Sequence, residues 1–170
     1  MELQKAYLAL GSNTSPRREH ILNAINLLKN RFPEGFRISS LYLTRAFRNN
    51  KQDAYYNCCA CFETDISPEE LLKTILAFEK QIGRTRNGIK WSSRIIDIDI
   101  VLYGATIIES SNLTIPHYDL NQRDFFIIPL TELDQQLTNP KSNQLLSQIL
   151  KAIPEDLLTY PRKETADLKQ

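Results

Sequence analysis

One stretch, Lys90-Trp91-Ser92-Ser93-Arg94-Ile95-Ile96-Asp97-Ile98-Asp99-Ile100-Val101, limits the fold of this chain most strongly. Its second half alternates apolar residues with Asp97 and Asp99, which is the period of a half-buried β-strand. Both carboxylates therefore leave one face of the strand, with Cα atoms about 6–7 Å apart. Two anions so close repel each other unless a cation lies between them, and Mg²⁺ commonly joins carboxylates to substrate phosphates. The pattern predicts a strand with a magnesium site; the alternative is a solvated strand face with two surface acids.

The segment before this strand, residues 83–94, is predicted to be a loop that can move. It holds two glycines, four basic residues and no acidic residue, and it shows no apolar period. Arginine side chains bind phosphate oxygens in pairs, so a basic loop leading into a carboxylate strand suits polyphosphate chemistry. The alternative is a solvated basic loop that balances acids elsewhere, which is the commoner role of basic runs.

Length and composition favour one globular domain, residues 1–170, with a polar tail at 163–170. The chain has 170 residues and a net charge of +1, which argues against a nucleic-acid-binding protein. No apolar run is long enough to span a membrane and the N-terminus is no signal peptide, so we expect a cytoplasmic protein. Its three cysteines, Cys58, Cys59 and Cys61, lie in one predicted strand without zinc-ligand spacing, so they are expected to be reduced and structural.

Apolar periodicity and turn residues predict the element order β-α-β-β-α-β up to Gly104. This is the ferredoxin-like arrangement of the α+β class, an antiparallel sheet with helices on one face and C-terminal additions. Ile96, Ile98, Ile100 and Leu102 should then lie under the helices, with Asp97 and Asp99 on an open face. The predicted elements are a strand at 6–10, a helix capped by Ser15 with Pro16 first, strands at 36–47 and 55–64, a helix after the capping box Ser67-Pro68-Glu69-Glu70, the strand ending at Gly104, an extended segment at 113–118 and short helices near 130–133 and 145–150.

Glycine-rich nucleotide-binding loops are missing from the sequence, which has five glycines in all. A nucleotide would therefore be held by side chains and metals. Tyr55 and Asn57 share one face of their strand and suit the plane and the edge of a heterocycle, although a strand tyrosine is usually a packing residue. Phe125 and Trp91 could supply further walls. Glu79 is either a buried partner of a loop arginine or an edge residue. A lone histidine such as His117 is more often structural, but with its neighbours Tyr118 and Arg123 it would suit a triphosphate and ribose site.

Several motifs in the same order resemble the 6-hydroxymethyl-7,8-dihydropterin pyrophosphokinase family of folate biosynthesis, over about residues 6–133. The motifs that carry the resemblance are Leu10-Gly11-Ser12-Asn13, Tyr55-Tyr56-Asn57, Gly83-Arg84-x-Arg86, Arg94-x-x-Asp97-x-Asp99, and Pro116-His117-Tyr118 followed by Arg123-x-Phe125. The resemblance implies transfer of pyrophosphate from ATP to the hydroxymethyl group of the pterin, which gives AMP and the pterin diphosphate. It also implies the ferredoxin-like fold.

The resemblance further implies a role for each matching residue. Arg84, Arg94, Asp97 and Asp99 would be catalytic, and the two aspartates would bind two Mg²⁺ ions. The expected ATP-binding residues are Glu79, Arg84, Arg86, Trp91, Arg94, Ile100, Thr114, His117, Tyr118 and Arg123. The expected pterin-binding residues are Thr44, Phe47, Tyr55, Asn57, Trp91 and Phe125. ATP and the pterin are the expected partners of a monomer that binds neither nucleic acid nor membrane.

The chain departs from the family pattern at Ser92, Ser93, Arg45-Ala46, Asn87, Asn112 and the loop 48–54, which concerns kinetics and loop closure more than the reaction class. Three alternatives stay open at this point. The first is a binder of pterin or nucleotide without transfer, which the retained aspartates and arginines disfavour. The second is a two-metal phosphohydrolase or nuclease built on the same carboxylates. The third, a ferredoxin-like RNA-binding module, is disfavoured because the expected open face is acidic.

Overall fold

An antiparallel sheet with helices on both faces organises the chain in a computed structural model that describes residues 2–48, 51–85 and 93–165. The elements are β1 (Gln4–Ser12), α1 (Arg17–Arg31), β2 (Arg37–Ile38), β3 (Tyr42–Thr44), β4 (Tyr55–Thr64), α2 (Pro68–Ile82), β5 (Asp97–Tyr103), β6 (Ile108–Glu109), β7 (Thr114–Ile115), α3 (Asp124–Leu133), α4 (Leu146–Lys151) and β8 (Arg162–Lys163). Single 3₁₀ turns span Leu120–Gln122 and Glu155–Leu157. This mixed α/β architecture confirms the class predicted from the sequence.

The main sheet has the strand order β5-β1-β4-β3-β8, and β2 also pairs with β4. Its longest ladder joins β1 to β4, from Gln4 opposite Thr64 to Ser12 opposite Tyr56. The strand predicted at 36–47 is divided into β2 and β3, because the Ser39 hydroxyl oxygen accepts the Cys59 N–H at 2.9 Å in place of a main-chain carbonyl. A side chain that competes for a ladder hydrogen bond interrupts the strand locally.

Helices α1 and α2 cover one face of the sheet and form the first core with Leu8, Leu10 and Phe62. The capping box of α2 is confirmed, since Ser67 accepts the Glu70 N–H at 3.2 Å and the Glu70 carboxylate accepts the Ser67 N–H at 3.1 Å. The predicted Ser15 cap of α1 is wrong. Pro16 occupies the cap position with an extended backbone, and a proline side chain cannot accept a capping hydrogen bond.

The opposite face of the sheet is covered over its centre by α3 and α4, which form a second core with Tyr7, Cys59 and Cys61. The prediction of an entirely open face is therefore wrong, because the C-terminal additions bury most of it. The three cysteines are free and buried, as expected. The end of the sheet near Asp97 and Asn57 opens into a cleft.

Leu102 lies in the second core and not under α1 and α2, so that part of the alternation prediction is wrong. The pairing of β1 with β5 shifts register between Tyr7, opposite Leu102, and Leu8, opposite Ile100. The extra residue, Val101, turns to the same core as Leu102, and Tyr103 returns to the first core. A β-bulge of this kind reverses the facing of every residue that follows it.

The C-terminal segment returns to the sheet, where β8 pairs with β3 through Lys163 opposite Tyr42 and Arg162 opposite Leu43. The polar tail predicted from 163 thus begins inside β8, and residues 166–170 lie outside the described part. Among the described residues, none of the helices combines the length and the apolar character that crossing a bilayer requires.

Candidate active site

A cleft of about 480 Å³ opens at the end of the sheet, where β1, β4 and β5 meet the loop after β3 and the start of α3. Ten of the residues singled out in the sequence line it: Thr44, Phe47, Tyr55, Asn57, Arg94, Asp97, Asp99, Tyr118, Arg123 and Phe125. They come from five separate stretches of the chain. The fold therefore assembles into one cleft most of the residues that the motifs had predicted.

Asp97 and Asp99 stand on alternate positions of β5, opposite Gly11 and Ala9 of β1, and both face the cleft. The two oxygens of Asp97 are bound by two different arginines. Arg84 Nη1 donates to Oδ1 at 2.6 Å, and Arg94 Nη1 donates to Oδ2. Burial would raise the pKa of Asp97, but the guanidinium groups of Arg94 and Arg84 outweigh it and hold the pKa below its ordinary value.

Asp99 has weaker cationic support than its neighbour. Its Oδ2 lies 3.6 Å from Arg123 Nη1 and 3.9 Å from His117 Nε2, both beyond hydrogen-bond range. Burial and the charge of Asp97 raise the pKa of Asp99 to about 7, and Arg123 offsets only part of this. A carboxylate whose charge is so poorly compensated favours a bound cation.

His117 is buried beside Asp99 as a neutral imidazole. Burial and the charge of Arg123 lower the pKa of His117 to about 3, against the opposing effect of Asp97. Its Nδ1 accepts the Asp119 N–H at 3.1 Å, which leaves the ring proton on Nε2, the atom that faces Asp99. The Asp119 carboxylate in turn binds Arg123 at 2.9 Å. Asp119 therefore orients two predicted ATP-binding residues, His117 through its N–H and Arg123 through its carboxylate.

Glu79 is the buried partner of a loop arginine, the first of the two alternatives given by the sequence. Its side chain is 3% exposed, and its Oε1 accepts from Arg84 Nη1 and, at 2.7 Å, from the Ile98 N–H. Arg84 Nη1 thus joins Glu79 to Asp97. Glu79, in the last turn of α2, therefore holds Arg84 against Asp97, the first of the two candidate metal ligands in β5.

An aromatic wall faces the carboxylates across the cleft. Phe47 and Phe125 meet edge to face with ring centroids 5.7 Å apart, and the Arg123 guanidinium lies 5.4 Å and 5.5 Å from those rings. Next to this wall, Asn57 Nδ2 donates to Thr44 Oγ1 at 2.7 Å in a buried contact. The wall and the polar pair offer a planar heterocycle a stacking surface and a hydrogen-bonding edge.

Comparison with known proteins identifies the family of the chain. A family profile described as 7,8-dihydro-6-hydroxymethylpterin-pyrophosphokinase (HPPK) matches residues 7–135. The chain belongs to this family. It is 39% identical over 149 residues to the 2-amino-4-hydroxy-6-hydroxymethyldihydropteridine pyrophosphokinase of Haemophilus influenzae, covering 86% of this chain and 91% of that protein. With the enzyme of the same name from Aquifex aeolicus it shares 40% over 134 residues, covering 79% of this chain and 82% of that protein.

Solved structures support the fold. The wild-type HPPK-DHPS of Plasmodium falciparum with pteroate superposes with a TM-score of 0.70 at 13% identity. The match covers 89% of this chain and 44% of that one, so the chain spans less than half the length of that structure. At this identity the likeness concerns the fold alone.

Five of the predicted site residues of this HPPK-family chain are described but do not line the cleft. Glu79 and Arg84 act behind Asp97, His117 lies behind Asp99, Thr114 is half-buried in β7, and Ile100 is buried in the first core. Only the main chain of Ile100 is therefore left for a ligand contact. Arg86 and Trp91, together with the departures at Asn87 and Ser92, lie outside the described residues.

Other cleft residues were missed by sequence reasoning. Arg48, Gln52 and Asp119 line the cleft without any motif that marks them. Arg48 has a left-handed backbone with φ 57°, and its guanidinium binds Gln122. The only available signal was position, since Asp119 lies between two predicted site residues and Arg48 begins a polar loop.

In this HPPK-family chain, Asp97 and Asp99 suit a magnesium ion whose remaining ligands are water and substrate phosphates. They suit less well a metal ion bound entirely by protein side chains. Within residues 2–48, 51–85 and 93–165, no group of three or more histidine, cysteine or acidic side chains is arranged to hold a metal ion. Mg²⁺ commonly takes one or two carboxylates and completes its shell with water and substrate phosphates. Asp97 and Asp99 supply such a set, since they lie on one face of β5 and both line the cleft.

Proposed function

We propose that this cleft transfers a pyrophosphoryl group from ATP to the hydroxymethyl oxygen of 6-hydroxymethyl-7,8-dihydropterin, a step of folate biosynthesis. The observation that carries the proposal is the meeting of two carboxylates, Arg94, Arg123 and an aromatic wall in one cleft, with Arg84 bound to Asp97 from behind. In the balanced reaction the pterin oxygen bonds to the β-phosphorus of ATP. The bond between that phosphorus and the α,β-bridging oxygen breaks, AMP leaves, and the hydroxyl proton passes to solvent.

The metal-binding role falls to Asp97 and Asp99. Two Mg²⁺ ions held there with substrate oxygens would neutralise triphosphate charge and make the pterin hydroxyl more acidic. Each Asp97 oxygen accepts from one arginine and keeps a second lone pair, so Asp97 could hold a metal ion while it stays paired with Arg84 or Arg94.

Arg84, Arg94 and Arg123 are proposed to bind the phosphates, with Arg84 and Arg94 acting on the group in transfer. The planar guanidinium group binds two phosphate oxygens at once and keeps its charge at any working pH. Glu79 keeps Arg84 in place through a buried ion pair. His117, Tyr118 and Thr114 are proposed to contact ATP. This division leaves the protein mainly positioning and charge stabilisation to perform.

The pterin is proposed to lie against Phe47, Phe125 and Tyr55. Thr44 Oγ1 accepts the Asn57 amide, so its own hydroxyl hydrogen is available to a ring nitrogen or carbonyl oxygen. Asn57 reads the polar edge of the ring through the remaining amide atoms. A buried polar pair of this type rejects rings that leave it unpaired.

The decisive experiment measures AMP formation from ATP and Mg²⁺ with and without the hydroxymethyl pterin. A pyrophosphokinase releases AMP and pterin diphosphate in equal amounts, only when the pterin is present. A binding protein forms no AMP under any condition. A phosphohydrolase releases nucleotide products without the pterin, and either of these results contradicts the proposal.

We propose that the sheet is a ferredoxin-like variant, supported by the order β5-β1-β4-β3 with two crossing helices on one face. We also propose a single domain over 1–170, a monomeric state and a cytoplasmic location. Sedimentation equilibrium at micromolar concentration tests the monomeric state directly.

A further inference from the structure

The motif Leu10-Gly11-Ser12-Asn13 at the end of β1 contains a buried asparagine to which the proposed reaction gives no role. Asn13 is 3% exposed although its side chain is polar. Asn13 Oδ1 accepts the Arg94 N–H at 2.7 Å, and the Asn13 N–H donates to the Arg94 carbonyl oxygen at 3.2 Å. The residue directly after β1 thus pairs with both main-chain hydrogen-bonding groups of Arg94.

This contact lies just outside the regular sheet. The pairing of β1 with β5 ends at Gly11 opposite Asp97, three residues after Arg94. The asparagine side chain replaces the strand pairing that is missing there. It fixes the main chain at the C-terminal end of the basic loop, where the chain enters β5.

The amide nitrogen of the Asn13 side chain is not satisfied by a hydrogen bond within the described residues. Among the described residues, its Nδ2 is a buried amide nitrogen without a hydrogen-bond partner. A buried donor left unpaired is unfavourable, so the side chain is not placed there for stability alone. Its useful atom is Oδ1, and the partner of Oδ1 is the backbone of Arg94.

The side chain of Arg94 has two partners in the proposed reaction, Asp97 and a phosphate. Its Nη1 binds Asp97 Oδ2, and its side chain is 33% exposed. In the proposed function Arg94 also binds a phosphate, so its guanidinium moves from Asp97 toward the substrate. The main-chain contact with Asn13 does not depend on that exchange of partners.

We propose that Asn13 is a positioning residue that acts through Arg94 by holding its main chain while its side chain changes partner. This inference rests on the proposed pyrophosphoryl transfer. It gives the end of β1 a part in the reaction, although Asn13 itself contacts no reacting atom. A residue that acts in this way should slow the chemical step with little effect on substrate binding.

The test uses the full chain and compares Asn13→Ala with Asn139→Ala. Asn139 is a matched control: it is also buried, at 5% exposure, its Oδ1 accepts the Lys141 N–H at 2.9 Å, and its N–H donates to the Gln144 carbonyl at 2.9 Å, away from the cleft. The single-turnover rate of AMP formation should fall about tenfold in Asn13→Ala, which is the scale of one lost hydrogen bond. The KM for the pterin should change less than about threefold, and Asn139→Ala should keep the wild-type rate.

A double-mutant cycle shows whether the effect passes through Arg94. In an Arg94→Ala background, Asn13→Ala should lower the single-turnover rate by less than about twofold, because the side chain that it positions is already gone. Hydrogen exchange supplies a readout without substrates, metal or activity: the Arg94 amide should exchange faster in Asn13→Ala than in Asn139→Ala. Asn13→Ser adds no charge and keeps an oxygen of shorter reach, so its rate should lie between those of Asn13→Ala and wild type.

Three results would overturn the inference while the proposed function stands. They are a wild-type single-turnover rate in both Asn13 variants, an equal loss in the Arg94→Ala background, and loss of folded protein in both variants, which would make the role structural. Absence of pterin-dependent AMP formation in the wild-type chain would instead overturn the proposed function itself.

Discussion

The absence of a side chain at Gly11 leaves room in the cleft for the Asn57 amide. A Cβ added there would lie 2.8 Å from Asn57 Oδ1 and 3.7 Å from Tyr55 Cδ1, and Asn57 is itself held by Thr44. We expect Gly11→Ala to push the Asn57 amide aside and weaken pterin binding about tenfold or more, with ATP binding unchanged. Calorimetric titration with each ligand checks this. In an Asn57→Ala background the extra methyl group should cost much less, and an equal cost there would contradict the explanation.

The two aspartates of β5 should differ in their effect on stability although both are needed for transfer. Asp97 is neutralised by two arginines, whereas burial and the charge of Asp97 raise the pKa of Asp99 to about 7. A raised folded-state pKa means that the charged form of Asp99 opposes folding, increasingly as the pH rises from about 4 through 7. In metal-free protein at pH 8, Asp99→Asn should raise stability by about 1–2 kcal/mol, and Asp97→Asn should lower it by a similar amount.

Urea unfolding in the presence of a chelator measures both differences, and AMP formation should be lost in both variants. Equal destabilisation by the two substitutions would show that Asp99 is as well compensated as Asp97. The gain from Asp99→Asn should also shrink as the pH falls toward 4, because the wild-type carboxyl group then binds its proton.

At the scale of elements, Glu132 ties α3 to the connection between β2 and β3. Its Oε1 accepts the Ser40 N–H at 3.0 Å and the Ser40 hydroxyl at 2.7 Å, and its Oε2 accepts the Tyr42 hydroxyl at 2.6 Å. We expect Glu132→Gln to lower the free energy of unfolding at pH 7 by about 1–2 kcal/mol, because a neutral amide accepts these bonds more weakly. Chemical denaturation measures the change, with the exposed Glu155→Gln as control.

The effect of Glu132→Gln on the free energy of unfolding should depend on pH. Burial opposes the charge of Glu132, but the hydrogen bonds from Tyr42 and Ser40 outweigh it and hold its pKa below the ordinary value. Its contribution to stability is thus present above a pH of about 4.5 and is lost as the pH falls through the lowered pKa. The difference between wild type and Glu132→Gln should narrow at pH 3, and a constant difference would contradict the ionic explanation.

Asp124, at the start of α3, holds the C-terminal segment against the cleft. Its buried carboxylate accepts the Thr159 N–H at 2.8 Å, the Thr159 hydroxyl at 2.6 Å and the Tyr160 N–H at 3.0 Å. The same segment accepts from Arg45, a cleft residue, whose Nη2 lies 2.9 Å from the Leu158 carbonyl oxygen. Asp124→Asn should speed amide exchange at residues 159–164 and destabilise the fold by about 1–3 kcal/mol. Unchanged exchange there would show that β8 alone holds the segment.

Sequence periodicity predicted β5, β4 and α2 well because each of them buries one face against the first core. The facing of Asp97, Asp99 and Asn57 follows from the same period of two. Features that depend on distant partners were not predictable: the bulge that turns Leu102 toward the second core, and the contact of Ser39 with Cys59 that divides one strand into β2 and β3. Helix α3 begins at Asp124, well before its predicted start, and this early start carries Phe125 into the cleft wall.

The second core joins the C-terminal region of the chain to the sheet, so this region is an integral part of the folded molecule. The family match ends at residue 135, yet Leu146, Ile149 and Ile153 beyond it are buried against α3 and the sheet. Each such side chain contributes about 1.5–3 kcal/mol when buried, and a domain of this size is stable by about 5–15 kcal/mol in all. A chain cut after residue 135 should therefore fail to give a cooperative urea transition, whereas the full chain should show one. Cooperative unfolding of the shorter chain, with pterin-dependent AMP formation retained, would mean that the first core and the cleft suffice without the second core.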